Sequence, residues 1–151
     1  MELAPWRAED LPVGVARDLG RWRFTAEEIV DFGARWDPLP FHVDPDAAAA
    51  SPFGGLVASG IHTLAALQRL LTEGLHRHTA IIAGRGSGGM RLPHPTRAGA
   101  VARASVAIAA IEPYRDDRAL ALADATFRDE ADGALLLEVR LEVVLGRRGR
   151  S

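Results

Sequence analysis

The stretch from Ser59 to Leu75, SGIHTLAALQRLLTEGL, limits the possible folds more than any other part of the chain. Ile61, Leu64, Ala65, Leu67, Leu71 and Leu75 recur at helical spacing, which predicts a helix of about this length with a broad apolar face. Val57 and Ala58 run into it from the N-terminal side. A helix this apolar needs a second layer to cover it. The second half of the chain supplies a sheet.

Leu135, Leu137, Val139, Leu141, Val143 and Leu145 alternate with Glu138, Arg140 and Glu142, the pattern of a half-buried antiparallel strand. Asp132-Gly133 provides the turn ahead of it. Residues 119–128 and 100–111 read as two more strands, joined by a turn at Asp116-Asp117-Arg118. A glycine-interrupted strand over 80–92 and an early one over 16–24 make five. One long helix against an antiparallel sheet is an α+β arrangement. No repeat or linker divides the 151 residues, so one domain over 1–151 is expected, with a frayed tail from about residue 146.

Charge and composition narrow the function. The net charge is -2, which disfavours generic nucleic-acid binding. All 18 basic residues are arginine, so Schiff-base chemistry at lysine is excluded while guanidinium forks for phosphates remain. The chain has no cysteine, hence no disulfide and no thiolate metal site, and a cytoplasmic location is expected. The N-terminus, MELAPWRAEDLP, lacks the apolar run of a signal peptide, and no stretch is apolar for long enough to span a membrane.

The chemistry concentrates in DPLPFHVD, residues 37–44. Thr25-Ala26-Glu27-Glu28 forms a capping-box pattern, and Ile29, Phe32 and Trp36 continue it as a helix over 25–36 that delivers Asp37 at its end. Pro38 and Pro40 then predict a stiff, non-helical hinge carrying an acid and an imidazole five positions apart, Asp37 and His42. Leu39 and Phe41 lower the dielectric around them, which strengthens hydrogen bonds. Asp44-Pro45-Asp46 starts a short alanine helix, and Ser51-Pro52 ends it. The Phe53-Gly54-Gly55 turn leads to the mouth of the long helix, where unpaired N–H groups face an arriving anion or carbonyl oxygen. An acid, a base and a set of oxyanion donors within so short a span read as a reaction centre.

This segment resembles the signature of the MaoC-like dehydratases, the family of the (R)-specific enoyl-CoA hydratases. Asp37, Pro40, Phe41 and His42 match its first motif; Asp44, Ala48, Ser51, Phe53, Gly54, Gly55, Ala58, Ser59 and Gly60 match the run that follows. Arg91, Pro95, Arg97 and Gly99 look like its later arginine-proline segment. Two positions depart from the family: Leu39 where an amide is usual, and Ala100 where an aspartate is usual. The resemblance implies a hotdog fold, a sheet wrapped around a long helix, acting as a homodimer or higher homo-oligomer with its substrate at the subunit seam. It implies hydration or dehydration of a 2-enoyl or 3-hydroxyacyl thioester of CoA, with no cofactor and no metal. Asp37 and His42 then grip one water between them, either with His42 as the base that activates it and Asp37 exchanging a proton with the carbon next to the carbonyl or with these roles interchanged, and the Gly60 N–H is the donor to the thioester oxygen. Substrate contacts are expected from Ser59, Phe41, Phe53, Gly54, His62 and Arg91. Ser59 also reads as a helix cap and His62 as core. The rival functions are a hotdog thioesterase and a non-catalytic acyl-CoA-binding subunit of a hetero-oligomer.

Three other features are weaker. Residues 84–89, GRGSGG, match a dinucleotide fingerprint on paper, but the chain continues as strand where that motif needs a helix. His76-Arg77-His78 lacks a third metal ligand and suits a solvated helix end. His94 reads as a loop residue, and Trp6, Trp22 and Trp36 as core or interface anchors.

Overall fold

The computed structural model describes residues 4–149. Its sheet is antiparallel, with strands β1 (Ala16–Arg23), β2 (Ile81–Arg91), β3 (Val101–Arg115), β4 (Arg118–Asp129) and β5 (Leu135–Gly146) in the order β1-β3-β4-β5-β2. Each strand lies where alternation and turn residues place it in the sequence. The helices are α1 (Ala26–Trp36), the single turn α2 (Pro40–Val43), α3 (Pro45–Ala50) and α4 (Gly60–Gly74). Helix α4 packs against β1, β3 and β4. This is the hotdog arrangement, a long helix held against one face of an antiparallel sheet.

The strands facing α4 are lined with small residues. Ala102, Ala104, Ala121, Ala123 and Ala125 are buried and keep the sheet surface shallow. Leu67 and Leu71, both fully buried, fill the gap together with Phe24 and Phe127, whose rings meet edge to face at 5.9 Å. Truncating either leucine to alanine would cost about 2–5 kcal/mol.

The buried side of α4 is only partly the expected one: Leu67, Leu71 and Leu75 are inside as expected, but the rest of that face is not. His62, Thr63, Ala66, Leu67, Leu70 and Leu71 face inward, whereas Ile61 is 58% exposed, Ala65 is exposed and Leu64 is half-buried. Apolar residues cover so much of this helix that hydrophobicity does not single out the side that meets the sheet.

Strand β2 closes one edge of the sheet, and residues 82–91 are exposed. Its glycines sit among three register shifts against β5, so the fingerprint-like segment is bulged strand. The tail expected to fray from residue 146 is held as far as Arg148. The Arg147 N–H donates to the Asp117 carbonyl at 3.0 Å, and the Arg148 guanidinium donates to Asp10 at 2.8 Å. Arg150 and Ser151 lie outside the described residues. Trp22 packs half-buried against the core, but Trp36 is 64% exposed and Trp6 also lies at the surface. His76–His78 form a 3-10 turn after α4. Among the described residues no helix is long and apolar enough to cross a membrane.

Candidate active site

Helix α1 begins as its sequence predicts and then departs from it. Thr25 Oγ1 accepts from the Glu28 N–H at 3.1 Å, which is half of a capping box. The other half does not form, because the Glu28 carboxylate accepts from Trp22 Nε1 at 3.1 Å instead. At the far end the Asp37 N–H donates to the Gly33 carbonyl at 2.8 Å, so Asp37 caps the helix with its side chain free.

The hinge that follows is more regular than expected. Pro40–Val43 form one helical turn, with Pro40 in its first position, where a missing N–H costs nothing. His42 therefore sits on a helical turn and not on irregular chain, and it is only 6% exposed. The turn packs directly on α1 at Gly33. A Cβ there would lie 2.9 Å from His42 Cβ and 3.1 Å from the His42 carbonyl, so the close approach requires glycine. Asp44 caps α3 by accepting from the Asp46 and Ala47 N–H groups at 2.9 and 3.3 Å.

Asp37 and His42 come together as the sequence suggests. His42 Nε2 lies 3.4 Å from Asp37 Oδ2. The other ring nitrogen, Nδ1, lies 2.6 Å from the Val57 carbonyl oxygen. A carbonyl can only accept, so Nδ1 carries a proton, and in the neutral ring Nε2 holds the free lone pair. Val57 is itself fixed, since its N–H donates to the Phe41 carbonyl at 3.2 Å. The imidazole is thus oriented by backbone alone. Its basic nitrogen points toward the acid.

Ser59 reaches the same carboxylate. Its hydroxyl donates to Asp37 Oδ2 at 2.7 Å, and it makes no side-chain capping bond although it occupies the N-cap of α4. Steadying Asp37 therefore prevails over capping, with Ser59 only 1% exposed. Gly60 is the first residue of α4, where the N–H has no acceptor within the helix. A Cβ on Gly60 would collide with Leu92 Cδ1, so glycine is also what lets Leu92 cover the helix mouth. Behind this mouth the later arginine-proline segment pairs with the glycine turn. The Ala58 N–H donates to the Thr96 carbonyl at 2.8 Å, the Ala98 N–H donates to the Leu56 carbonyl at 3.1 Å, and the Arg97 guanidinium donates to the Phe53 carbonyl. That segment buttresses the site.

The remaining expected residues divide. Phe41 meets the His42 ring at 4.6 Å and Phe53 at 5.2 Å, so Phe41 walls the dyad and Phe53 backs it. Leu39 is exposed, which leaves the shielding to these two rings. Gly54 is the left-handed corner of the turn, at φ 69°. Arg91 ends β2 with an exposed side chain 3.4 Å from Glu138, one residue before Leu92. His62 is 3% exposed, stacked on Phe32 at 4.6 Å and against the Phe24 edge at 5.2 Å. Its Nε2 lies 3.4 Å from Glu28 Oε1, but neither ring nitrogen has a hydrogen-bond partner. Burial pushes the His62 pKa below the usual histidine value; Glu28 opposes this and the His42 charge reinforces it. Sequence reasoning missed three participants: the Val57 carbonyl, which has no side-chain signal, Leu92, and Glu28, whose capping-box position masked its use elsewhere.

Comparison with known proteins bears on this constellation. The family model described as MaoC like domain matches residues 12–125. The chain belongs to the MaoC-like dehydratase family. It is 35% identical to the MaoC-like dehydratase from Rhodospirillum rubrum, with a TM-score of 0.85 over 96% of this chain and 99% of that one. Similarity extends to the (R)-hydratase from A. caviae involved in PHA biosynthesis, at 28% identity and a TM-score of 0.73 over 90% of this chain and 98% of that one. A Mycobacterium tuberculosis relative, 3-hydroxyacyl-thioester dehydratase Z, is 33% identical over 108 residues, 68% of this chain and 72% of its own. Membership places the chain among the carbon–oxygen lyases.

Proposed function

We propose that this chain adds water to 2-enoyl thioesters of CoA and removes it from 3-hydroxyacyl thioesters, with Asp37 and His42 as the reacting pair. The observation that carries this reading is the free Nε2 of His42, held 3.4 Å from Asp37 Oδ2 by a bond on its opposite nitrogen. The names of the A. caviae and M. tuberculosis relatives support the thioester class.

In the hydration direction His42 Nε2 takes a proton from water as the hydroxyl oxygen bonds to the β-carbon. Electron density moves to the thioester oxygen, where the Gly60 N–H stabilises the developing enolate. Asp37, in its acid form, then donates a proton to the α-carbon. The proton on His42 returns to Asp37 across the short gap between them, which restores the pair. Ser59 holds the carboxylate on line throughout, and Phe41 and Phe53 keep bulk water away. Positioned acid-base catalysis contributes about 10²–10⁴-fold and one oxyanion donor about 10²–10³-fold. No step needs a metal or a redox group, so none is invoked.

Self-association as a homodimer is part of this reading. The β2 edge is exposed, and Ile82, Met90, Leu92 and Ile61 present apolar surface on β2 and at the helix mouth. A second copy covering that surface would enclose the CoA arm. A cytoplasmic location is in keeping with a chain that lacks cysteine.

The test is loss of enoyl absorbance with crotonyl-CoA. The parent should hydrate it, and Asp37→Asn should not. Release of free thiol without loss of the double bond would assign a thioesterase instead. Binding without either reaction would assign a non-catalytic subunit.

A further inference from the structure

The mechanism leaves one buried polar group unused. His62 sits one turn into α4 from Ser59, close enough to the dyad for the His42 charge to act on it. His62 and Glu28 line a groove of about 1080 Å³ between α1 and α4, walled by Trp22, Phe32 and Trp36. The pair is rigidly prepared. Phe32 and Phe24 fix the imidazole, and Trp22 fixes the carboxylate by donating to Oε2. Yet Nδ1 of this 3% exposed ring has no partner, and Nε2 has only the Glu28 carboxylate, 3.4 Å away. An unpaired buried polar atom is destabilising, a cost that a leucine in the same place would avoid. A chain that keeps histidine here keeps an incomplete site.

Building on the hydratase reading above, we propose that Glu28 and His62 form a subsite that selects thioesters whose acyl group carries a hydroxyl beyond the reacting carbons. The chemistry of the partner follows from the pair. With the His62 proton on Nε2 toward Glu28, Nδ1 presents a lone pair, and the Glu28 carboxylate only accepts. Two acceptors call for an O–H donor. Arg35 and Arg69 line the groove together with Glu27 and Asp31, but the Glu28–His62 pair itself offers a carboxylated acyl group no donor. The aromatic walls accept the intervening carbon chain.

The test compares kcat/KM for hexenoyl-CoA, its terminally hydroxylated counterpart and its terminally carboxylated counterpart. The parent should favour the hydroxylated substrate by about tenfold, the worth of one buried hydrogen bond, and disfavour the carboxylated one. His62→Leu should erase the preference for the hydroxyl, mainly through KM. Absence of the preference in the parent, its persistence in His62→Leu, or a preference for the carboxylate would each overturn the proposal. Glu28→Gln, with the same loss expected, serves if His62→Leu does not fold. Calorimetric titration of the parent with hexanoyl-CoA and its terminally hydroxylated form separates the two readings. Tighter binding of the hydroxylated form supports the subsite even if no thioester is hydrated, and equal binding rejects it even if hydration is fast.

Discussion

Two acid–imidazole pairs stand side by side at the mouth of α4, Asp37 with His42 and Glu28 with His62, each with 3.4 Å between nitrogen and oxygen. They differ in what holds the second ring nitrogen. His42 donates from Nδ1 to the Val57 carbonyl, whereas Nδ1 of His62 has no partner. The first arrangement fixes the tautomer and leaves a directed base. The second leaves an acceptor buried among aromatic rings, suited to recognition and poorly suited to taking up a proton. A separation of acid and imidazole alone therefore says little about chemistry; the bond on the far nitrogen sets which nitrogen carries the proton.

The largest effect expected from this contrast is at Asp37. Asp37→Asn keeps shape and the Ser59 contact but removes the acid, so kcat on crotonyl-CoA should fall about 10²–10⁴-fold while the thermal melt moves little. A variant retaining parental turnover would place the chemistry elsewhere.

Ser59→Ala sharpens the same point with a smaller change. Hydrogen bonds to charged groups contribute about 1.5–3 kcal/mol, and the Ser59 hydroxyl holds Asp37 Oδ2 at 2.7 Å. Loss of about tenfold or more in kcat is expected, with KM little changed, because the bond orients the acid and does not grip substrate. A change confined to KM would instead make Ser59 a substrate contact.

Gly33→Ala tests the packing that delivers His42. The added methyl would lie 2.9 Å from His42 Cβ and 3.1 Å from Val43 Cγ1, so α2 must move away from α1. Destabilisation of about 1–3 kcal/mol is expected from overpacking, read as a lower midpoint in urea. Turnover should fall with it, since His42 leaves the Val57 carbonyl.

Much of this was legible in the sequence. Strand alternation such as Leu137-Val139-Leu141 carries a period that only a sheet satisfies, and the Thr25 and Asp44 caps mark helix starts by local chemistry alone. Asp37 and His42 were legible because prolines and a glycine turn surround them. The hinge was misread as irregular because proline is tolerated in the first position of a helical turn, a distinction that depends on what packs beneath it, here Gly33. The buried side of α4 was legible only at Leu67, Leu71 and Leu75; Ile61 and Leu64 are equally apolar, and tertiary contact leaves them outside or half-buried. Backbone partners such as the Val57 carbonyl leave no trace in residue identity. Glu28 left a misleading one, since its spacing from Thr25 fits a cap that its carboxylate does not make.

The smallest expected effect concerns pH and rests on the burial of His62. Burial holds the folded-state pKa of His62 below the ordinary value of about 6.5, with Glu28 and His42 the charged groups that face it. His76 is lowered by burial in the same sense. The unfolded chain then binds protons that the folded chain refuses as pH drops below about 6.5, so stability is complete above that value and declines below it. Asp10, Asp18 and Asp124, each lowered by hydrogen bonds and arginine charge, lose their contributions only near the ordinary carboxylate range at about pH 4. The interval between about pH 5 and 6.5 therefore reports on histidine. In that interval the melting temperature of the parent should fall with pH, and His62→Leu should flatten the slope while leaving the part due to His76. A slope identical in parent and variant would mean that His62 takes up its proton in the folded chain as readily as in the unfolded one, and the contrast with His42 would lose its physical basis.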